Sequence, residues 1–147
     1  MQLVKGLLGI FFFFPFFSLI AGDLEVEILN RKSNQSVILC ALYETANGFL
    51  SDEKQASYKI VGVETNHQKT TCLFKGIPDK QYAVSVLEDL NRNGKMDTTF
   101  IGLPKEPWGV SRNPPMHAFG PPSFDEAVVN VKSKLLIQIK LNHKDSR

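Results

Sequence analysis

The run Gln81-Tyr-Ala-Val-Ser-Val-Leu-Glu88 alternates with period two. Tyr82, Val84 and Val86 fall on one face, and Ala83, Ser85 and Leu87 on the other. That period does not fit an amphipathic helix and calls for a sheet with a buried face. Other runs follow the same rule. Leu24-Glu-Val-Glu-Ile28 alternates apolar and charged residues, as a half-buried strand does. Val37-Ile-Leu-Cys-Ala-Leu-Tyr43 is continuously apolar and reads as a central strand. Tyr58–Val63, interrupted by Gly62, Thr70–Phe74, Ala127–Val131 and Leu135–Leu141 complete the set. Polar turns separate them at Asn30–Ser36, Asn47-Gly48, Gly76–Lys80 and Ser133. Ser51-Asp-Glu can cap one short helical turn. About seven short strands with no long helix predict an all-β antiparallel sandwich. Neither an internal repeat nor a linker divides it, so residues 23–141 are expected to be one domain.

The start of the chain belongs to a different class. Met1-Gln-Leu-Val-Lys5 carries a positive charge, Gly6 to Ile20 is apolar and rich in Phe, and Ala21-Gly22-Asp23 is small then polar. That order is a secretory signal peptide over residues 1–22, cut after Ala21 or Gly22. The apolar run is shorter than the ~20 residues of a membrane helix, and Pro15 interrupts it. An uncleaved N-terminal anchor is the alternative. Asp23, not Cys, follows the small pair, so no lipoprotein anchor is expected. The expected product is exported, periplasmic or extracellular, with no membrane attachment after cleavage. Of the 17 Lys and Arg, Lys5 leaves with the leader, so 16 face 15 acidic residues. A near-neutral chain lacks the basic stripe that nucleic acid demands. Lys134 and Lys140 are expected on a solvated face. The residues from Asn142 to Arg147 are expected to form a polar, frayed tail.

Cys40 and Cys72 are the two cysteines. In an exported chain an even count permits a disulfide. Both sit in apolar strands, so two buried thiols are the other reading. Their wide separation, with no neighbouring His, does not make a zinc signature.

From Asp89 to Ser123 neither period persists. A loop longer than ~12–15 residues is usually functional or disordered. Phe100, Ile101, Leu103, Trp108, Phe119 and Phe124 argue against disorder and are expected to seek burial, which predicts an ordered loop wrapped over the domain. Its first part, Asp89-Leu-Asn91-Arg-Asn93-Gly94-Lys95-Met96-Asp97, matches the opening of an EF-hand calcium loop. Calcium takes six to eight oxygens. Asp89, Asn91, Asn93, the Lys95 carbonyl and Asp97 are the candidate ligands, with Glu88 or Glu106 as helpers. Phe100 occupies the position of the closing bidentate Glu, and a strand rather than a helix enters, so the motif is not an EF-hand. The competing reading is an Asx-rich turn bonded to its own backbone. Calcium is the single cofactor this motif puts forward.

Catalytic signatures are thinner. His67, His117 and His143 are isolated, and neither a nucleophile elbow nor a Gly-rich phosphate loop is present. A hydrolase built on the 98–124 loop would draw on Lys105, Glu106, Ser111 and His117. Convergence of those side chains on one pocket is its test. Lys105, Glu106, Trp108, Ser111 and Asn113 are otherwise candidates for a loop surface. Lys105 and Glu106 then form a surface ion pair beside one packed aromatic, Trp108. The first reading is therefore an exported sandwich with a binding or structural role, and no partner is indicated.

The run Gln81-Tyr-Ala-Val-Ser-Val, the Asp89–Asp97 motif, Phe100-Ile-Gly-Leu-Pro-Lys-Glu-Pro-Trp-Gly109, Ser111, Asn113 and Phe119-Gly-Pro-Pro-Ser-Phe124 together resemble a bacterial family of small exported proteins known as domain of unknown function 2141. The resemblance covers roughly Leu24 to Leu141. It implies a transthyretin-like or related immunoglobulin-like sandwich and no established activity. Leu90 stands where the family more often has a polar or acidic residue. Val110 and Arg112 interrupt its usual Gly-Phe-Ser-Asn-Asn, and both departures weaken carry-over of ligand or surface roles to those positions.

Overall fold

In a computed structural model of the protein, the described residues are 21–64 and 69–143. Residues 1–20, on which most of the expected signal peptide falls, residues 65–68 with His67, and the last four residues lie outside them. The strands are β1 (Ala21–Leu29), β2 (Val37–Tyr43), β3 (Tyr58–Val61), β4 (Val63–Glu64), β5 (Thr70–Pro78), β6 (Gln81–Asp89), β7 (Trp108–Val110), β8 (Val129–Asn130) and β9 (Lys134–Lys140). One helical turn, α1 (Phe124–Ala127), precedes β8. A 3₁₀ turn at Glu53–Gln55 is capped by the Asp52 carboxylate, which accepts from Lys54 N at 3.0 Å.

Two sheets face each other. One has the order β4-β5-β1-β9, the other β3-β2-β6-β7, with β8 added to the start of β6. The sandwich is as expected, with one departure. β1 and β9 pair in parallel, from Asp23↔Lys134 to Leu29↔Lys140. The chain passes from β8 around Ser133 to the beginning of β1, and Ser133 O accepts from Asp23 N at 2.6 Å. Entering beside the start of β1, β9 runs in the same direction. The short strand expected at Ala127–Val131 keeps only Val129–Asn130, because Ser123 and Glu126 form a capping box that winds the preceding residues into α1.

The core lies between the sheets. Leu24, Val26 and Ile28 of β1 and Cys72 and Phe74 of β5 meet Ile38 and Leu42 of β2 and Tyr82, Val84 and Val86 of β6. The inward assignment of Tyr82, Val84, Val86 and Phe74 therefore holds. A second, smaller cluster covers the other face of β6, where Ala83, Val110 and Ala127 pack with Phe49, Leu50, Trp108 and Phe124. Lys134 and Lys140 are exposed, as expected. The tail is more ordered than expected at its start. Asn142 exchanges two backbone hydrogen bonds with Trp108, at 2.8 and 3.3 Å. The His143 ring lies 2.7 Å from Asn30 O.

The cysteine question has a clear outcome. Cys40 on β2 and Cys72 on β5 are bonded, with Cα atoms 6.5 Å apart. Both are buried, and the bridge crosses the core from one sheet to the other.

Two outcomes follow from this packing. Val84→Asp places a charge between the sheets and is expected to abolish cooperative unfolding. Ser85→Asp, on the half-covered face, is expected to leave a folded protein with a lower melting temperature. Equal loss in both would contradict the face assignment. Replacing both cysteines by Ala is expected to cost about 3–4 kcal/mol in urea unfolding, the chain-entropy value for a separation of 32 residues.

Candidate functional site

β6 ends in Glu88 and Asp89, whose side chains point to opposite faces and are both fully buried. Glu88 continues the inward row of Val84 and Val86. Its carboxylate accepts from Lys32 N at 2.8 Å, Ser33 N at 2.9 Å and Ser36 Oγ at 2.6 Å. It therefore fixes the turn between β1 and β2 and does not reach the Asp/Asn motif as a helper.

Asp89 opens the motif. Its Oδ1 accepts from Asn93 N at 3.2 Å, and its Oδ2 from Gly94 N at 2.7 Å. Asn91 Oδ1 accepts from Asn93 N at 3.2 Å, and Asn93 Oδ1 from Lys95 N at 3.0 Å. The amide nitrogens of Asn91 and Asn93 donate to Asp97 at 2.6 and 3.0 Å. Gly94 has φ +80°, which an L side chain resists. The Arg92 guanidinium donates to Gln35 O and so joins this turn to the one Glu88 holds.

Glu106 supplies a third buried carboxylate at this end of β6. It accepts from Leu90 N at 2.8 Å and Asp97 N at 3.0 Å. Glu106 thus clamps both ends of the motif from outside it. An ion pair with Lys105 and a surface position, both expected from sequence, are replaced by this buried role. A carboxylate accepting two backbone N–H groups makes charge-assisted bonds, about twice as strong as neutral ones.

Beyond Asp97 the chain forms a small hairpin. Lys105 N donates to Asp97 O at 2.8 Å, Thr98 bridges Pro104, and Thr99 N donates to Leu103 O at 2.8 Å. Gly102 N donates back to Thr99 O at 2.9 Å, with φ +82° at Gly102. The tip carries Phe100, 100% exposed, and Ile101, 64% exposed, with Leu103 at 47% beside them. This corrects the expectation of burial. Of the six apolar loop residues, only Trp108 and Phe124 are packed against the domain. Phe100, Ile101, Leu103 and Phe119, the last 95% exposed, face outward. The local bonds satisfy the tip's turn, so the apolar side chains are not drawn under the domain.

The remaining loop candidates have separate tasks. Ser111 is buried, not a surface residue. Its hydroxyl donates to Ala127 O and accepts from Val84 N at 2.9 Å, tying α1 to β6. Asn113 pairs with the edge of β9, donating to Gln138 O at 2.9 Å and accepting from Lys140 N at 2.7 Å. His117 lies 2.9 Å from Glu126, which also accepts from Ser123 N and Oγ at 2.7 Å each. Lys105 is exposed. Ser111, Glu106 and His117 therefore contact different elements and do not assemble a nucleophile with a base. Among the described residues, no three His, Cys, Asp or Glu side chains stand together as a metal-ligand group.

A family described as an uncharacterized protein conserved in bacteria, DUF2141, matches residues 26–138. The chain belongs to this family. No curated protein and no solved structure matches it. In this DUF2141 chain the matched span runs from the middle of β1 into β9 and includes the whole Asp89–Glu106 assembly. Sequence reasoning missed the apolar tip as a surface. The available signal was Gly102 between Ile101 and Leu103 with Pro104 after it, a turn pattern rather than a buried run.

Glu126 gives a pH test. The Ser123 backbone N–H, then the Ser123 hydroxyl, then His117 hold its pKa down, from 4.5 to about 2. A depressed carboxylate pKa adds stability above the unfolded value, and that stability is lost as pH falls through the folded one. The melting-temperature gap between wild type and Glu126→Gln is expected to be full near pH ~5 and to close toward pH ~2. A gap unchanged across that range would contradict the capping role.

Proposed function

We propose that this protein is an exported, non-catalytic binding module whose contact element is the 98–104 hairpin. The observation that carries the reading is Phe100, wholly exposed at the tip of a turn whose base is held by Asp89 and Glu106. Single exposed apolar residues are ordinary. Three of them on one short, internally bonded turn are the pattern of an anchor awaiting an apolar pocket. Each side chain contributes ~1.5–3 kcal/mol on full burial, against several kcal/mol of association cost. The tip alone therefore suits a weak contact, strengthened by surrounding polar residues. The leader pattern supports export, and so does the bridge between Cys40 and Cys72, because such bonds persist in oxidising compartments. The separate engagements of Ser111, Glu106 and His117 count against the hydrolase alternative.

Calcium is the finer part of the reading. Asp89, Asn91, Asn93, the Lys95 carbonyl and Asp97 share one turn, which favours an ion. The Asn91 and Asn93 amides, however, turn nitrogen toward Asp97. An ion would need both to rotate. With only two carboxylates in the motif, affinity is expected near ~10⁻³ M, and the turn acts first as a structural clamp.

A photoreactive phenylalanine analogue at position 100 of the exported protein is expected to give a discrete adduct in cells, while the same probe at Lys140 gives none. No adduct at position 100, or equal yields at both positions, would overturn the binding reading. Asp89→Ala is expected to cost about 1–3 kcal/mol in chelator, by leaving backbone donors unpaired. Unchanged stability in chelator would refute the clamp. A rise in melting temperature at ten millimolar calcium that Asp97→Ala removes would add the ion to it.

A further inference from the structure

Asp79 stands in the turn between β5 and β6, and its Oδ1 is buried with no hydrogen-bond partner. The Asp79 residue as a whole is half-buried, whereas Glu88, Asp89 and Glu106 are buried and each holds two or more donors. An unpaired carboxylate oxygen inside a protein is costly, so the element facing Asp79 is informative. That element is the start of β1. Gly22 pairs with Ile77, and a Cβ built on Gly22 would lie 3.0 Å from Asp79 Oδ1 and 2.6 Å from Ser133 O. The absence of a side chain at position 22 is what lets the carboxylate approach the backbone here. The Gly22 nitrogen is bonded to the same Cα, at about 1.46 Å.

We propose that removal of the leader at the Ala21–Gly22 bond creates the missing partner, and that the α-ammonium of Gly22 is held by Asp79. The inference rests on the export reading. Hydrolysis by a leader-cleaving peptidase consumes one water and breaks the bond between the Ala21 carbonyl carbon and the Gly22 nitrogen. Ala21 leaves as a carboxylate, and Gly22 gains a charged amine with three donors. The cut precedes folding, when β1 is extended and unpaired. Ala21 supplies the small residue such enzymes require before the bond. The alternative cut, after Gly22, places the amine on Asp23. That nitrogen already lies 2.6 Å from Ser133 O, and the Asp23 carboxylate already accepts from Gly76 N at 2.9 Å. Asp79 Oδ1 would then stay unpaired. Nearby cations offer one competitor. A cavity of about 500 Å³ at this end of the sandwich is lined by Asp79, Glu44, Lys80 and Lys132 among others. Lys80 is paired with Glu44 at 2.6 Å, which leaves Lys132 as the rival partner to be tested.

The test begins with the full chain expressed with its own leader in an export-competent bacterial host. Intact mass of the exported protein is expected to give a chain beginning at Gly22. An exported chain beginning at Asp23 overturns this inference and leaves export standing, whereas recovery of the uncut chain overturns both. Asp79→Asn is then made in two forms, one beginning at Gly22 and one extended to Ala21. A drop of several degrees in melting temperature is expected in the first form and little change in the second. Equal shifts in the two forms would overturn the ion pair. Lys132→Ala reproducing the Asp79→Asn loss would overturn it by assigning the carboxylate to the lysine instead.

Discussion

Strand β6 is covered on both faces, and the rest of the molecule is arranged around that fact. Its inward row packs between the sheets, and Ala83 packs outward beneath Val110 and Ala127. Its backbone must also be satisfied on both edges. β2 pairs along one edge from Tyr43↔Ala83 to Val37↔Asp89. β7 and β8 share the other, at Ser85–Leu87 and Gln81–Tyr82. Between those two short strands, Val84 has no strand partner on that edge. The gap is closed by Ser111, whose hydroxyl accepts from Val84 N and whose N–H donates to Val84 O. The bridge from β2 to β5 then ties this sheet to the opposite one.

The ends of β6 define what the surface can do. Where the strand finishes, buried carboxylates replace strand pairing as the organiser of the backbone. Glu88 holds the preceding turn, Asp89 the Asp/Asn motif and Glu106 the two limbs of the motif together. Loops positioned by a rigid scaffold are where binding residues concentrate. Here the scaffold extends into the loop itself, so the apolar tip emerges from a fixed base.

The strands were legible because period two reports burial directly. Val37–Tyr43 has the predicted limits, and β6 differs by one residue. The Asx turn and the Asp52 cap were legible too, because their chemistry is local. Partner choice was not. The parallel pairing of β1 with β9 depends on where the chain turns at Ser133, which no local pattern encodes. Ser111 and Glu106 read as polar loop residues because their burial comes from donors and acceptors far along the chain, at Val84, Ala127, Leu90 and Asp97. The apolar loop residues were misread for the opposite reason. Hydrophobicity favours burial but does not enforce it when a short turn satisfies its own backbone. The cysteine pair stayed open from sequence because bonding requires the Cα atoms to meet, and only the packing of the sheets brings them to 6.5 Å.

Among the described residues, the two most exposed aromatics differ in how the chain holds them. Phe119 sits among Pro114, Pro115, Pro121 and Pro122, in a segment anchored by side chains, Asn113 at one end and the His117–Glu126 pair at the other. Phe100 sits on a turn anchored mainly by backbone bonds and buried carboxylates. Ordering a side chain and its loop on binding costs free energy that a preformed turn has already met during folding. If the proposed binding role holds, the Phe100 turn is therefore the better-prepared contact of the two. The same bonds bear on the proposed choice of contact over catalysis. Ser111, Asn113, Glu106 and Asp89 each have polar atoms engaged with backbone partners. A catalytic base or nucleophile must keep an atom aimed at substrate. In the proposed reading, side chains that hold the loop in place leave its exposed apolar atoms as the surface for contact.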